Sequence, residues 1–170
     1  MKRSRAVLAT LLLCVGPSSA MAQGALPRAT QLVGTWRLVA TQQRLPDGTV
    51  RPELGLGPRG VGYIMYSDTG RMCAFLSNPD RPKLKSPNAP TEAELRATFE
   101  GLISYCGSYE VNETDGYILH HVEMAKAPND VGTVRKRYFT LSGNRLVLRP
   151  SPLPEGIKEW TIEWERVANK

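Results

Sequence analysis

The sequence lacks features that mark several classes of protein. Its 170 residues include two histidines and three cysteines, and they contain no run of five like charges. Proteins that bind nucleic acids usually have basic residues clustered on one face. The scattered charges of this sequence therefore do not indicate a nucleic-acid partner. No apolar stretch has the roughly 20 residues that a helical membrane anchor needs. These absences favour a globular domain without a stable membrane anchor.

The first 22 residues have the pattern of a cleavable secretory signal peptide. A basic start precedes an apolar stretch at residues 6–15, and Ala-Met-Ala at residues 20–22 places small side chains where signal peptidase cuts. We therefore predict that the protein is exported. An ordinary N-terminal helix and a lipoprotein anchored at Cys14 are the alternatives, and the bulky Leu13 before that cysteine argues against the second.

Removal of residues 1–22 changes the charge and the cysteine count. It takes away three of 22 basic residues and no acidic one, which leaves 19 basic against 16 acidic residues and a net charge of +3. A short leader at residues 23–31 then precedes a single domain at residues 32–168. Cys73 and Cys106 remain. An even pair in an oxidising compartment is a candidate disulfide, and two separate thiols are the alternative.

Regularly spaced turn signals predict a mainly β domain. Strand-like runs alternate with tight turns such as Asp68-Thr69-Gly70 and Ser142-Gly143-Asn144. The predicted strands are residues 35–43, a brief strand from 49, 61–67, 71–76, 103–112, 117–125, 134–141, 145–149 and 158–167. Eight or nine short strands joined mostly by hairpins are typical of an antiparallel up-and-down barrel, which closes to remove its edges.

One short helix interrupts this pattern. Thr91 is followed three residues later by Glu94, which is a capping box, and Gly101 provides a natural end. The sequence therefore predicts a helix over about 91–101, inserted between two strands.

Alternation along the strands predicts which residues face the interior. In the last strand, Trp160, Ile162 and Trp164 share one face and acidic residues take the other. The same parity turns Cys73 and Cys106 outward on two strands, so that neighbouring strands would bring them together.

Two separated motifs resemble those of the bacterial lipocalin-like domain family. Gly34-Thr35-Trp36 is a G-x-W motif near the first strand, and Arg166 stands near the chain end. The wider order of segments is also similar: LVGTWRL at 32–38, GYIMY at 62–66, GSYEV at 107–111, HHVE at 120–123 and WER at 164–166.

The resemblance spans about Leu32 to Arg166 and implies a lipocalin-type barrel with a cavity for a small molecule, but no known reaction. It also implies a structural role for Gly34, Trp36 and Arg166, with the arginine packed across the tryptophan at the barrel floor. Most members lack the inserted helix, so we expect an irregular barrel there. A bacterial family makes the periplasm the expected destination, with secretion as the alternative.

A polar anchor on the barrel wall is the predicted ligand site. Parity turns His120 inward and also turns Arg137 inward on the next strand, which would place them nearly opposite one another. Arg135 is predicted to face the same side of that strand, and it lies nearer the loop that precedes the strand. One interpretation is that Arg137 binds a carboxylate or phosphate with His120 as a second donor. The alternative is that His120 and Arg137 satisfy each other and buried backbone groups. The other predicted lining residues are Tyr105, Tyr109 and Met124.

Three functions remain open from the sequence. The first is binding of a small hydrophobic or amphipathic molecule, with or without an anionic group. The second is an enzyme of the isomerase or hydrolase type that uses His120 as acid or base. The third is a protein-interaction barrel whose core is filled by side chains. No nucleophile motif or metal-ligand spacing is found, so neither a cofactor nor a metal is predicted.

Overall fold

A computed structural model describes residues 29–53 and 55–168. The predicted signal peptide and most of the leader lie outside these residues. In chain order the strands are β1 (Gly34–Arg44), β2 (Val50–Arg51), β3 (Val61–Tyr66), β4 (Arg71–Ser77), β5 (Leu102–Asn112), β6 (Tyr117–Ala125), β7 (Val134–Ser142), β8 (Arg145–Ser151) and β9 (Glu159–Arg166). One α-helix, α1 (Glu92–Glu100), lies between β4 and β5. No helix among the described residues is long and apolar enough to span a membrane.

The strands form one closed antiparallel sheet. The order is β2-β1-β3-β4-β5-β6-β7-β8-β9, and β9 pairs back onto β1 from Trp36↔Arg166 to Arg44↔Glu159. Eight strands therefore make a barrel, and β2 is a short extra strand on β1. This arrangement confirms the predicted up-and-down barrel. Closure leaves the long strands with partners on both sides, which removes exposed sheet edges.

The predicted turns and helix cap are present. Gly70 and Gly143 have φ of 76° and 56°, a left-handed conformation that glycine adopts without strain. At the start of α1, the Thr91 side chain accepts from the Glu94 amide at 3.3 Å, and the Glu94 carboxylate accepts from the Thr91 amide at 2.8 Å. The predicted capping box is thus confirmed, and α1 follows it directly.

The up-and-down topology gives the barrel two different ends. The hairpins that follow β3, β5 and β7 lie at one end with Trp36 and Arg166, and we call this end the floor. The loop that carries Glu53 and the helix α1 lie at the other end, which we call the mouth. The floor half of the interior contains fully or almost fully buried side chains, among them Leu32, Trp36, Tyr66, Ile118 and Leu146.

The floor is held by an arginine stacked on a tryptophan. The Arg166 guanidinium carbon lies 4.1 Å from the centroid of the Trp36 ring, and the guanidinium donates to the carbonyls of Val33, at 2.8 Å, and Gln31. Gly34 has φ of 135°, and a Cβ there would come within 2.7 Å of Arg166 Nη1. Only glycine therefore allows the arginine to reach its position.

A β-bulge in β6 corrects one predicted residue. Cys106 pairs with Met124 but Gly107 pairs with Val122, so the extra residue reverses the alternation beyond Val122. Met124 was predicted to face inward, and that prediction is wrong because the bulge turns it outward, where it is 62% exposed. Gly107 permits the bulge, because a Cβ there would overlap the His121 carbonyl.

The outward parity of the two cysteines brings them together on neighbouring strands. Cys73 on β4 lies directly opposite Cys106 on β5, and the structure joins them in a disulfide with Cα atoms 4.1 Å apart. The bridge lies on the outer face of the barrel, so it occupies no interior space.

We predict that Arg166→Leu destabilises the barrel by about 2–3 kcal/mol, because it removes a cation–π contact and leaves two carbonyls without their charged donor. Urea denaturation at neutral pH measures the change. Arg145→Leu, which removes an exposed arginine of β8 paired with Glu163 at 3.5 Å, is the control and should cost less than about 1 kcal/mol. Equal losses of unfolding free energy in the two variants would show that the contact of Arg166 with Trp36 stabilises the barrel no more than an exposed ion pair does.

Candidate functional site

A small interior cavity lies in the mouth half of the barrel. Its volume is about 60 Å³, and twelve residues line it. Eight of them are apolar: Ile64, Ala74, Leu76, Ile103, Leu148, Trp160, Ile162 and Trp164. The other four are Glu53, Tyr105, Arg135 and Arg137. An apolar wall with a few placed polar groups is the usual make-up of a small-molecule site.

Two arginines on the same face of β7 line this cavity. Arg135 and Arg137 are alternate residues of β7, so their side chains point to the same side of the sheet. Arg135 pairs with Asp130 at 2.7 Å, and its guanidinium lies over the Tyr105 ring, 4.5 Å from the centroid. Arg137 donates to the Lys136 carbonyl at 3.0 Å, and none of the described carboxylates lies within 4 Å of it. Its guanidinium therefore keeps donors for another acceptor.

The sequence did not identify Glu53 as a site residue. It follows β2 in the loop at the mouth, where its carbonyl accepts from the amides of Leu56 and Gly57, both at 3.1 Å. Leu56 is fully buried and anchors the loop. No motif or periodicity in the sequence signals such a residue, because only the path of the loop over the barrel brings Glu53 inside.

Burial makes Glu53 an unusual acid. Loss of solvent raises the pKa of its carboxyl to about 7, although the positive charges of Arg137 and Arg135 and a hydrogen bond with Thr41 oppose that rise. Trp160 Nε1 donates to Thr41 Oγ1 at 3.2 Å. The cavity therefore contains a carboxyl group that changes charge near neutral pH.

A buried histidine lies behind the cavity wall. His120 has no exposed surface, and its ring nitrogens contact two tyrosine hydroxyls: Nε2 lies 2.9 Å from the Tyr66 oxygen and Nδ1 lies 3.1 Å from the Tyr105 oxygen. Burial, together with the charges of Arg137 and Arg135, holds the pKa of His120 well below its usual range. Burial likewise raises the pKa of Tyr66. The rings of His120 and Tyr66 are therefore neutral at neutral pH.

The structure brings together only part of the predicted ligand site. Arg137 and Tyr105 line the cavity, whereas His120 does not. His120 was expected nearly opposite Arg137, but it pairs with Arg135, and Arg137 pairs with Ile118. The expected register is wrong by two residues because the connection turns about Ala127 and Pro128, where a 3₁₀ turn begins. The hypothesis that His120 acts as acid or base requires it to contact a bound molecule, and His120 is not among the residues that line this cavity.

Tyr109 also lies away from the cavity. Its hydroxyl donates to the Ser67 carbonyl at 2.8 Å, and its ring packs edge-on against Tyr66 with centroids 4.9 Å apart. Tyr109 is therefore not among the residues that line this cavity. Its inward parity was right, but its position on β5 places it nearer the floor than Tyr105. Met124 is excluded from the site by the β6 bulge.

The pKa of Glu53 gives a prediction for stability. A folded-state pKa of about 7 against 4.5 for the free side chain means that the folded protein holds this proton more tightly, so the unfolding free energy falls as pH rises from about 4.5 to 7. The variant Glu53→Gln should not lose this stability. Its unfolding free energy should exceed that of the wild type by about 3 kcal/mol at pH 8, and the difference should disappear near pH 4.5.

Urea denaturation of both proteins across this pH range measures the effect as a difference, so titration of His120 cancels. Glu155→Gln, which changes an exposed carboxylate in the loop between β8 and β9, is the control. A constant gap between the Glu53→Gln protein and the wild type at every pH would contradict the buried titration.

Comparison with known proteins agrees with the barrel. A family model described as a lipocalin-like domain matches residues 33–167. No curated protein matches the chain. Two solved structures are similar over 84% of this chain and 100% of their own: the REP1-NXSQ fatty acid transporter, at 9% identity and a TM-score of 0.38, and a mutant of the fluorescent protein UnaG, at 11% identity and 0.36. Because the family model covers the whole barrel from β1 to β9, this chain belongs to the lipocalin-like domain family.

Proposed function

We propose that this protein binds a small anionic molecule, most simply a carboxylate with a short apolar body, in the mouth half of its barrel. The observation that carries the proposal is Arg137. Arg137 is one of the residues that line a mainly apolar cavity, and none of the described carboxylates lies within 4 Å of its guanidinium. A guanidinium keeps its charge at every physiological pH, so it cannot adapt to burial by losing a proton. An anion in the cavity would offset that charge with paired hydrogen bonds.

The neighbouring charges favour an anion over a cation. Arg135 is already paired with Asp130, so these two charges nearly cancel. Glu53 is partly protonated at neutral pH because burial raises its pKa to about 7. The charge left over at the cavity is therefore that of Arg137. Below pH 7 this surplus is largest, because Glu53 is then mostly neutral.

The size of the cavity limits the ligand. About 60 Å³ is room for a few atoms of a ligand body, since a single water occupies about 30 Å³ of liquid. A long alkyl chain would have to displace Trp160, Trp164 or their neighbours from the wall. The sequence left open both an amphipathic ligand and a filled core. The observed interior favours a ligand of short apolar length above a filled floor.

We also propose that the protein acts outside the cytoplasm, in a bacterial periplasm. The signal-peptide pattern of residues 1–22 supports export. The pairing of Cys73 with Cys106 suits an oxidising compartment, where such bridges form and persist.

Removal of the guanidinium tests the anion site. We expect Arg137→Leu to weaken binding of pentanoate by about 10- to 100-fold, because a charged hydrogen-bonding group contributes roughly 1.5–3 kcal/mol. Titration followed by tryptophan fluorescence is suitable because Trp160 and Trp164 line the cavity.

Arg149→Leu is the matched control for this test. It removes the same charge from an exposed residue of β8 whose guanidinium donates to Thr140, so it should leave pentanoate affinity unchanged. Pentanamide has the same apolar body without the negative charge, and its affinity should respond little to Arg137→Leu. An equal loss of pentanoate affinity in both arginine variants would show that Arg137 does not form the anion site.

The volume of the cavity gives a second prediction. Across the unbranched acids from propanoate to decanoate, affinity should rise about fourfold for each methylene that enters the cavity, which corresponds to about 0.8 kcal/mol. The increments should stop at a short chain because the apolar space is then full. A steady rise through decanoate would show that the interior opens well beyond the observed volume.

A further inference from the structure

The hydrogen bonds around His120 have a direction that the distances alone do not give. A neutral imidazole has one N–H donor and one acceptor nitrogen. Each ring nitrogen of His120 faces one tyrosine hydroxyl, Tyr66 at Nε2 and Tyr105 at Nδ1. One tyrosine must therefore donate to the ring, and the other must accept from it.

Burial decides between the two directions. Tyr66 is 2% exposed and does not line the cavity, and His120 is the only described hydrogen-bond partner of its hydroxyl. If the ring donated to Tyr66, the hydroxyl proton of Tyr66 would be buried without an acceptor, which is costly. In the opposite direction, Tyr66 donates to Nε2, and the proton of the ring lies on Nδ1 and is donated to Tyr105.

With this direction of hydrogen bonding, the hydroxyl proton of Tyr105 has no acceptor in the described part of the chain. Its hydroxyl already accepts from His120, and its own O–H has no other partner among the described side chains and backbone. Tyr105 lines the cavity, so a molecule inside can supply the missing acceptor. The guanidinium of Arg135, 4.5 Å from the centroid of the Tyr105 ring, packs on that ring and helps to hold it in place.

We propose that Tyr105 is a one-way hydrogen-bond donor to the ligand, set in that direction by Tyr66 and His120, and that the ligand is a short oxo acid. This proposal rests on the anion site at Arg137 and adds to it the chemistry of the ligand body. The carboxylate meets Arg137, and a carbonyl oxygen accepts from Tyr105. His120 and Tyr66 are positioning residues, because neither lines the cavity.

The direction itself can be measured without any ligand. The chain has two histidines, His120 and His121, so a long-range proton–nitrogen correlation spectrum of protein without a histidine tag shows two imidazoles. The spectrum distinguishes a protonated ring nitrogen from a bare one. We expect the proton of His120 on Nδ1. The variant His121→Gln assigns the signals, because it removes the signals of the partly exposed neighbour. A proton on Nε2 of His120 would overturn the proposal.

The ligand class is tested with acids of equal length. Wild-type protein is titrated with pentanoate, 2-oxopentanoate and 4-oxopentanoate, which differ only in the presence and place of a carbonyl. At least one oxo acid should bind about three- to tenfold more tightly than pentanoate, as expected for one added hydrogen bond. Tyr105→Phe should abolish that preference while pentanoate binding persists.

Tyr109→Phe is the matched control. It removes a hydroxyl from the same face of β5, but that hydroxyl donates to the Ser67 carbonyl and lies outside the cavity lining. The preference for the oxo acid should survive in this variant. Because the preference is a ratio within each variant, a general loss of stability does not imitate the result.

The outcomes separate this proposal from the anion site. If pentanoate binds but neither oxo acid binds more tightly, or if the preference persists in Tyr105→Phe, the role of Tyr105 is wrong and the anion site stands. If none of the three acids binds the wild type, both the anion site and the ligand class are wrong, whatever the tautomer of His120.

Discussion

Arg137 brings a permanent positive charge to the wall of an apolar barrel. Burying a charge costs free energy unless it is paired or strongly hydrogen-bonded. The charges around the cavity offset this cost only in part. Asp130 pairs with Arg135, so none of the described carboxylates lies close to Arg137. Glu53 becomes negatively charged only as the pH approaches and exceeds its pKa of about 7. Under the proposed function, an anion bound in the mouth half would offset the charge of Arg137, and the buried side chains of the floor half lie beneath it.

The closed sheet makes this arrangement possible. Pairing of β9 with β1 satisfies the backbone groups along both strands, and Arg166 stacked on Trp36 seals the floor beneath them. Polar side chains inside such a frame have few partners to choose from. The hydroxyl of Tyr66 has His120 and no other described partner, and the proposed direction of the hydrogen bonds around His120 rests on that restriction.

The sequence predicted the features that depend on local pattern. Two-residue alternation placed Trp164 and Arg137 on the interior side, and turn residues located the hairpins, because both signals act over a few residues. Met124 was misplaced, since a single extra residue in β6 reverses the alternation and no local signal marks it. Glu53 was missed because its place depends on how a loop folds over the mouth. The partner of His120 was wrong because strand register depends on the geometry of the connecting loop.

The most direct test of the anion site observes the arginine side chains during binding. Guanidinium Nε–H signals can be followed by NMR while pentanoate is added at pH 6, where Glu53 is mostly protonated. We expect the Arg137 signal to shift until the protein is saturated, the Arg135 signal to follow because Arg135 lines the same cavity, and the Arg149 signal to stay in place. Saturable binding of pentanoate without any change in the Arg137 signal would show that Arg137 does not bind the anion.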